Sequence, residues 1–379
     1  ASMTDTDMKY IRLYLEENYD LTSEKKIIDA ADLAAHQNSY HPVRDYLNSL
    51  AWDGTERIRY CLHHFLGAEA DEYTFQALRL FLLGAIHRAF HPGCKFEVML
   101  CLVGGQGAGK STFFRLLAVK DEWFSDDLRK LDDDNVYRKL QGHWIIEMSE
   151  MIATANAKSI EEIKSFLSRQ KEVYKIPYET HPADRLRQCV FGGTTNRQDF
   201  LPRDRTGNRR FLPVTVYPER AEVHILDDEA AARAYIEQMW AEAMTVYRSG
   251  KYKLSFSMEM NRYLNAHQQD FMQEDTQAGM IYAYLEDYTG DRVCSKQLYE
   301  EALGNLNSPA DWETRAICEI MNTGIAGGII QGWVAYKSPK RYKKYGSQKG
   351  WERVNQAPPE GDGFQEITEE EARQMELPF

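Results

Sequence analysis

The stretch Gly104-Gly105-Gln106-Gly107-Ala108-Gly109-Lys110-Ser111 constrains this chain more than any other. It fits the phosphate-binding pattern G-x-x-x-x-G-K-[ST]. The apolar run Val98-Met99-Leu100-Cys101-Leu102-Val103 precedes it and reads as a buried parallel strand. Thr112-Phe113-Phe114-Arg115-Leu116-Leu117 follows and reads as the start of a helix. Strand, glycine-rich turn and helix are the setting the pattern needs. Without Cβ atoms in the way, successive backbone N–H groups can curl around phosphates. The helix N-terminus adds partial positive charge. The residues expected to hold a nucleoside triphosphate are therefore Gly104, Gly105, Gln106, Gly107, Ala108, Gly109, Lys110, Ser111 and Thr112. Lys110 is placed to reach the β- and γ-phosphates, and the Ser111 hydroxyl suits Mg²⁺.

Further along, His143-Trp144-Ile145-Ile146-Glu147-Met148-Ser149-Glu150 reads as a second buried strand with carboxylates near its C-terminal end. Ligands of parallel α/β sheets bind outside those ends. Glu147 and Glu150 are the candidates for holding the metal's water shell and for polarising an attacking water, with the two roles left unassigned. A third strand, Cys189-Val190-Phe191-Gly192-Gly193-Thr194-Thr195, ends at Asn196, whose amide can bond a γ-phosphate or that water. Arg209 and Arg210 stand in a turn-rich segment just before another apolar strand, where an arginine can reach the γ-phosphate of a neighbouring subunit. The run 132–134 of three aspartates reads as an exposed turn or helix start rather than a metal cluster.

Nucleic-acid contacts are expected in two places. Lys171 to Tyr178 alternates like one arm of a hairpin, carries Lys171 and Lys175, and is followed by His181, Arg185 and Arg187. Positive charge interleaved with aromatics suits a strand-tracking surface. Near the C-terminus, Lys337, Lys340, Arg341, Lys343, Lys344, Lys349 and Arg353 alternate with Tyr336, Tyr342, Tyr345 and Trp351. Arg79, Arg88 and Lys95 are weaker candidates for a backbone contact, since scattered charges usually form a solvated face. The formal net charge of -12 excludes a uniformly basic coat, but half of it falls in the tail 355–379, which has seven acids and one base.

At 379 residues, two or three domains are expected. The reading is a helical domain over 1–92, an α/β nucleotide-binding core with a parallel sheet over 93–250, a helical linker over 251–277, a winged-helix-like DNA-binding domain over 278–355 and a disordered acidic tail over 356–379. In the first of these, Pro42 suits a first helical turn and Asp53-Gly54 a turn. Residues 123–131 read as a loop, and 329–334 as a strand. The six cysteines form no C-x-x-C pair and no zinc spacing, which fits free thiols in a reducing cytoplasm. No apolar run reaches spanning length, so no membrane partner is expected. Ala1-Ser2 before Met3 resembles a cloning scar, which suggests a piece of a longer protein.

Taken jointly, these residues resemble the virulence-associated E (VapE-like) family of phage and mobile-island replication proteins, over most of 42–353. The resemblance rests on Arg44-Asp45-Tyr46-Leu47 with Trp52-Asp53-Gly54, on the glycine-rich loop, and on Trp144-Ile145-Ile146-Glu147-Met148-Ser149-Glu150. Lys164-Ser165-Phe166-Leu167-Ser168 with Pro177-Tyr178, Thr194-Thr195-Asn196 and Gly207-Asn208-Arg209-Arg210-Phe211 complete it. The family resembles a branch of the superfamily 3 helicases within the AAA+ ATPases. By that resemblance Lys110 and Ser111 are the Walker A residues, Glu150 with Glu147 nearby is Walker B, and Asn196 is sensor 1. Arg209 or Arg210 is the arginine finger acting in trans, and the hairpin around Lys171 and Lys175 grips DNA in a pore. The resemblance also implies ATP and Mg²⁺ as cofactors, single-stranded and duplex DNA as partners, a homo-oligomer, usually a hexamer, and an N-terminal primase domain in many members. The lone-glutamate Walker B departs from the adjacent Asp-Glu pair of many such ATPases. The expected function is an ATP-driven DNA helicase for replication of a phage or mobile element. The alternatives are an ATP-binding switch or origin-binding protein that does not unwind, and a small-molecule kinase.

Overall fold

The computed structural model describes residues 4–128, 131, 136–149, 157–174, 183–202, 208–272 and 276–354. The predicted sites Glu150, Lys175 and His181, the aspartate run 132–134 and the acidic tail lie outside them. The chain divides into two compact units, Ala1–Gln273 and Glu274–Phe379.

The first unit is built on five parallel strands: β1 (Met99–Val103), β2 (Phe124–Ser125), β3 (Ile145–Met148), β6 (Val190–Thr195) and β7 (Phe211–Thr215). Their order is β2-β3-β6-β1-β7, and every neighbouring pair is parallel. Alternate residues of β1 serve opposite faces, as the two-residue period of a strand requires. Leu100 and Leu102 join one core with Ile145, Val190, Leu212 and Val214. Met99, Cys101 and Val103 join the other with Ile146, Met148, Phe191 and Phe211. A sheet apolar on both faces needs helices on both, which explains why these strands read as continuous apolar runs. Helices Glu72–Phe90, Lys110–Leu117 and Glu229–Arg248 cover the first face, and the helix Ala157–Leu167 covers the second.

Helix starts follow local chemistry. The Asp71 carboxylate accepts from Thr74 N at 2.7 Å and caps Glu72–Phe90. Pro42 opens the helix Pro42–Ser49. Asp228 caps Glu229–Arg248 through Ala231 N. Across the first core the indole N–H of Trp144 donates to Ala85 O at 3.1 Å and that of Trp240 to Leu117 O at 3.0 Å, with the two rings stacked 4.5 Å apart. The Trp-Asp-Gly segment has a structural role. Asp53 pairs with Arg57 at 2.7 Å, and buried Glu242 accepts from Arg57 N at 2.6 Å and Ile58 N at 2.9 Å. N-terminal helices Asp5–Tyr19 and Glu24–Gln37 bury only Ile27 among their residues.

Three sequence expectations change in the first unit. Residues 123–131 are not all loop: Phe124-Ser125 forms β2, held at the sheet edge by pairing with Ile145 and Ile146. Arg88 is no surface cation. It is 1% exposed and donates to Cys189 O at 3.0 Å and to Phe96 O, tying the segments that lead into β6 and β1 to the long helix. Arg187 is likewise buried, donating to Phe166 O at 2.6 Å and pairing with Glu172.

β4 (Lys171–Tyr174) and β5 (Ala183–Leu186) pair antiparallel, Lys171 opposite Leu186. In the second unit, helices Thr276–Asp287 and Asp311–Ala326 pack with the three-stranded antiparallel sheet β8 (Arg292–Cys294), β12 (Gly350–Arg353) and β9 (Trp333–Ala335). Ile281, Val293, Leu298, Ile317, Met321 and Trp351 form its core. The predicted strand at 329–334 starts only at Trp333, because residues 327–332 are spent closing the preceding helix and turning, with Gly328 and Gly332 at φ +73° and +74°. A two-stranded hairpin, β10 (Lys340–Tyr342) with β11 (Gly346–Gln348), completes this unit.

Candidate nucleotide-binding site

The connection leaving β1 runs to one side of the sheet, and the chain later returns as β7 on the other, so the carboxyl end of β1 opens into a crevice. The glycine-rich loop fills that crevice. Gly109 has φ +77°, and a Cβ there would come within 2.5 Å of Ile225 Cγ2. At Gly104 a Cβ would meet Val216 O at 2.6 Å. Both positions need glycine for different reasons, one conformational and one a close backbone approach. The helix begins at Lys110, so its first N–H groups face the loop.

A pocket of about 410 Å³ follows, lined by Gln106 to Thr112, Ser149, Thr194 to Asn196, and Leu226. Lys110 is 8% exposed. Its ammonium donates to Gly104 O at 2.7 Å, Gly105 O at 2.6 Å and Asn196 Oδ1 at 3.1 Å. Burial pushes its pKa down, and Glu147 opposes that. The Ser111 hydroxyl donates to Glu147 Oε1 at 2.7 Å, and the Thr194 hydroxyl donates to the same oxygen. Glu147 is 1% exposed, and its Oε2 is buried with no hydrogen-bond partner among the described residues. Burial raises its pKa, against the lowering effect of Thr194 and Ser111.

A buried carboxylate oxygen without a donor, next to a serine hydroxyl, fits a hydrated divalent cation: the ion would supply the missing positive partner. Lys110, Ser111, Glu147 and Asn196 thus come together from the carboxyl ends of β1, β3 and β6. Thr194 stands in the sequence only as part of Thr194-Thr195-Asn196, with no role assigned to it. Its signal was its place in β6 opposite β3, visible only once the strand pairing Glu147–Gly192 was known.

Arg209 and Arg210 do not join this group. They lie at the amino ends of the strands, beside Glu97, one strand length away, or about 17 Å for five residues. Arg210 bonds Glu97 Oε2 at 3.0 Å and Ser168 Oγ at 3.1 Å, while Arg209 approaches Glu97 Oε1 at 3.4 Å and is 64% exposed. Burial raises the Glu97 carboxyl, but the Ser168 hydroxyl and the arginines outweigh it and hold the pKa below its usual range.

The DNA candidates differ in electrostatic standing. Lys171 pairs with Asp184 at 2.6 Å. Lys340 pairs with Glu352, and Lys344 with Glu300. Arg341 and Lys343 are exposed and have no acidic partner among the described residues. The cysteines are free thiols, and no group of metal-ligating side chains occurs among the described residues. No helix among them is long and apolar enough to cross a membrane.

No curated protein matches the chain. Among solved structures, the apo C-terminal region of NrS-1 is similar at 15% identity and a TM-score of 0.46, over 81% of this chain and 78% of that one. An A-form apo structure of the same region gives 14% and 0.47 over the same shares. The virulence-associated protein E-like domain matches residues 47–273, which hold the whole five-stranded sheet and every described residue of the crevice, and the chain belongs to that family.

Proposed function

We propose that this chain is an ATP- and Mg²⁺-dependent DNA helicase or translocase of the AAA+, superfamily 3 type, serving replication of a phage or mobile element. The observation that carries the reading is the orphaned Glu147 Oε2 beside Ser111, at the mouth of a glycine-rich loop on a parallel sheet. In this reading Lys110 leaves the loop carbonyls to neutralise the β- and γ-phosphates. Ser111 and Glu147 hold the metal and its water shell, and Asn196 orients the attacking water. Mg²⁺, when bound, neutralises charge on the phosphate oxygens. With Oε1 held by two hydroxyls, Glu147 is fixed in place before nucleotide arrives, which lowers the reorganisation needed in the transition state.

Arg209 and Arg210 sit one strand length from Lys110, so either of them could reach a γ-phosphate only in the site of a second copy. This supports a ring, with six subunits by family resemblance. The hairpin β4–β5 would face the channel. The second unit, two long helices with a three-stranded sheet and a basic hairpin, supports a winged-helix role on duplex DNA. Unpaired Arg341 and Lys343 would be its phosphate contacts, and Lys340 and Lys344 would mainly serve the fold. The domain division proposed is 1–92, 93–250, 251–277 and 278–355.

ATP hydrolysis with and without single-stranded DNA, for the unaltered chain and Lys110→Ala, tests this. The expected result is DNA stimulation and a loss of at least about a hundredfold on removing Lys110. A rate indifferent to DNA would refute the motor and favour a switch that binds ATP at origin DNA.

A further inference from the structure

The glycine-rich loop is braced from one side by the segment after β7. Tyr217 N donates to Leu66 O at 3.0 Å, Val223 N donates to His64 O at 3.0 Å, and Glu222 pairs with His64 at 2.6 Å. These bonds fix the segment on the helix Cys61–Leu66. From there the chain makes a tight turn. His224 N donates to Asp227 Oδ2 at 3.2 Å, Asp227 N to His224 O at 2.9 Å, and Asp228 caps the next helix. Leu226 N donates to His224 Nδ1 at 3.3 Å, so Nδ1 is the acceptor. The other ring nitrogen, Nε2, stands 3.1 Å from Gly107 O, which can only accept. His224 is therefore the Nε2–H tautomer and clamps the turn to the loop. Ile225 is 1% exposed and packs beside Gly109. The turn then leaves Leu226 59% exposed at the pocket rim.

The pocket has a polarity. Lys110, Asn196 and Ser111 mark the end that would take the terminal phosphates. Leu226 comes from a different segment and is the one large apolar side chain among the described residues of the lining. An apolar side chain held at the rim by a preformed turn suits the flat face of a nucleobase. Stacking there removes both surfaces from water without an ordering cost in the protein.

We infer that Leu226, held by the His224 turn, is the shelf on which the base of the bound nucleoside triphosphate rests. The inference rests on the proposed nucleotide reading of this crevice and adds the base subsite to it. Leu226 acts on binding, as a contact remote from the reacting phosphates. Its loss weakens substrate and transition state alike, so KM rises while kcat holds.

The test measures binding of ATP and of inorganic triphosphate, each with Mg²⁺, to the full chain by calorimetry. Leu226→Ala, Leu226→Asp and Leu226→Met are compared with the unaltered protein. The expected result is an ATP Kd raised about fivefold in Leu226→Ala and more in Leu226→Asp, near the original value in Leu226→Met, with triphosphate unaffected. Equal weakening of ATP and triphosphate would overturn the base subsite and leave the nucleotide reading standing, as would no weakening of either. If the unaltered chain binds neither, the nucleotide reading falls and this inference falls with it.

Discussion

Glu147→Gln should make the protein more stable and inactive at once. The wild-type carboxylate is 1% exposed, and one oxygen accepts from Ser111 and Thr194. The amide oxygen of glutamine can accept both hydroxyls, at a loss of roughly 1 kcal/mol each from charged to neutral bonds. Against that stands the charge itself, whose burial costs several kcal/mol and whose second oxygen has no partner among the described residues. The carboxyl pKa is raised from its ordinary value, so desolvation outweighs the two hydrogen bonds. The net gain on neutralising the group is about 1 kcal/mol, or roughly 2 to 3 °C in Tm for a unit of this size. The pH dependence follows the same sign. A carboxyl whose folded pKa is raised contributes stability that is fully present below its unfolded value of about 4.3. That contribution is lost as pH rises through the folded value. The advantage of Glu147→Gln should therefore be absent near pH 4 and grow toward neutrality. Calorimetric melts without metal across that range check it. Steady-state ATP hydrolysis should fall by a hundredfold or more, on the order of the loss of a transition-state electrostatic group. Adding Mg²⁺ and ATP should reverse the stability order, since only the wild type gains the metal's share of ligand stabilisation. A variant less stable than wild type at neutral pH without metal would refute the reasoning, because Glu147 would then be a satisfied structural acid.

Three further outcomes are expected. Arg88→Met should cost about 3 kcal/mol in urea unfolding, because it strips the donors from Cys189 O and Phe96 O in a closed interior; a loss under about 1 kcal/mol would mean that water replaces the guanidinium. Gly109→Ala should cost about 2 kcal/mol and weaken nucleotide binding, since φ +77° disfavours alanine and its Cβ would press on Ile225; an unchanged melt with unchanged ATP affinity would contradict the packing described. In DNA titrations over salt, Arg341→Ala and Lys343→Ala should each lower the slope by about 0.9, whereas Lys340→Ala and Lys344→Ala, whose ammoniums already sit on Glu352 and Glu300, should change it far less. Four equal effects would show that those pairs open on DNA.

The sequence by itself determined the strand–loop–helix around Gly104 to Ser111, because the glycine spacing and the flanking apolar runs are local properties. It also gave β1, β3, β6 and β7 as buried strands, since a sheet covered on both faces leaves an uninterrupted apolar run. The caps at Asp71 and Asp228 and the Pro42 helix start lie within one turn of the residues they serve, and Pro42 was read there directly. Strand order could not be read, because parallel pairing joins residues far apart in the chain. β2 escaped for that reason: two residues have no period, and only Ile145 and Ile146 make them a strand. Arg88 and Arg187 looked like surface charge because their acceptors, backbone carbonyls at 189, 96 and 166, carry no sequence signature. Lys340 and Lys344 looked equivalent to Arg341 and Lys343 until folding set Glu352 and Glu300 against them. The site divides the same way. Its glycine-rich loop is a local motif. The meeting of Ser111 with Glu147 and Thr194, the distance from Lys110 to Arg209, and the Leu226 rim were decided by the tertiary structure alone, because each joins segments that only the packed sheet brings into reach.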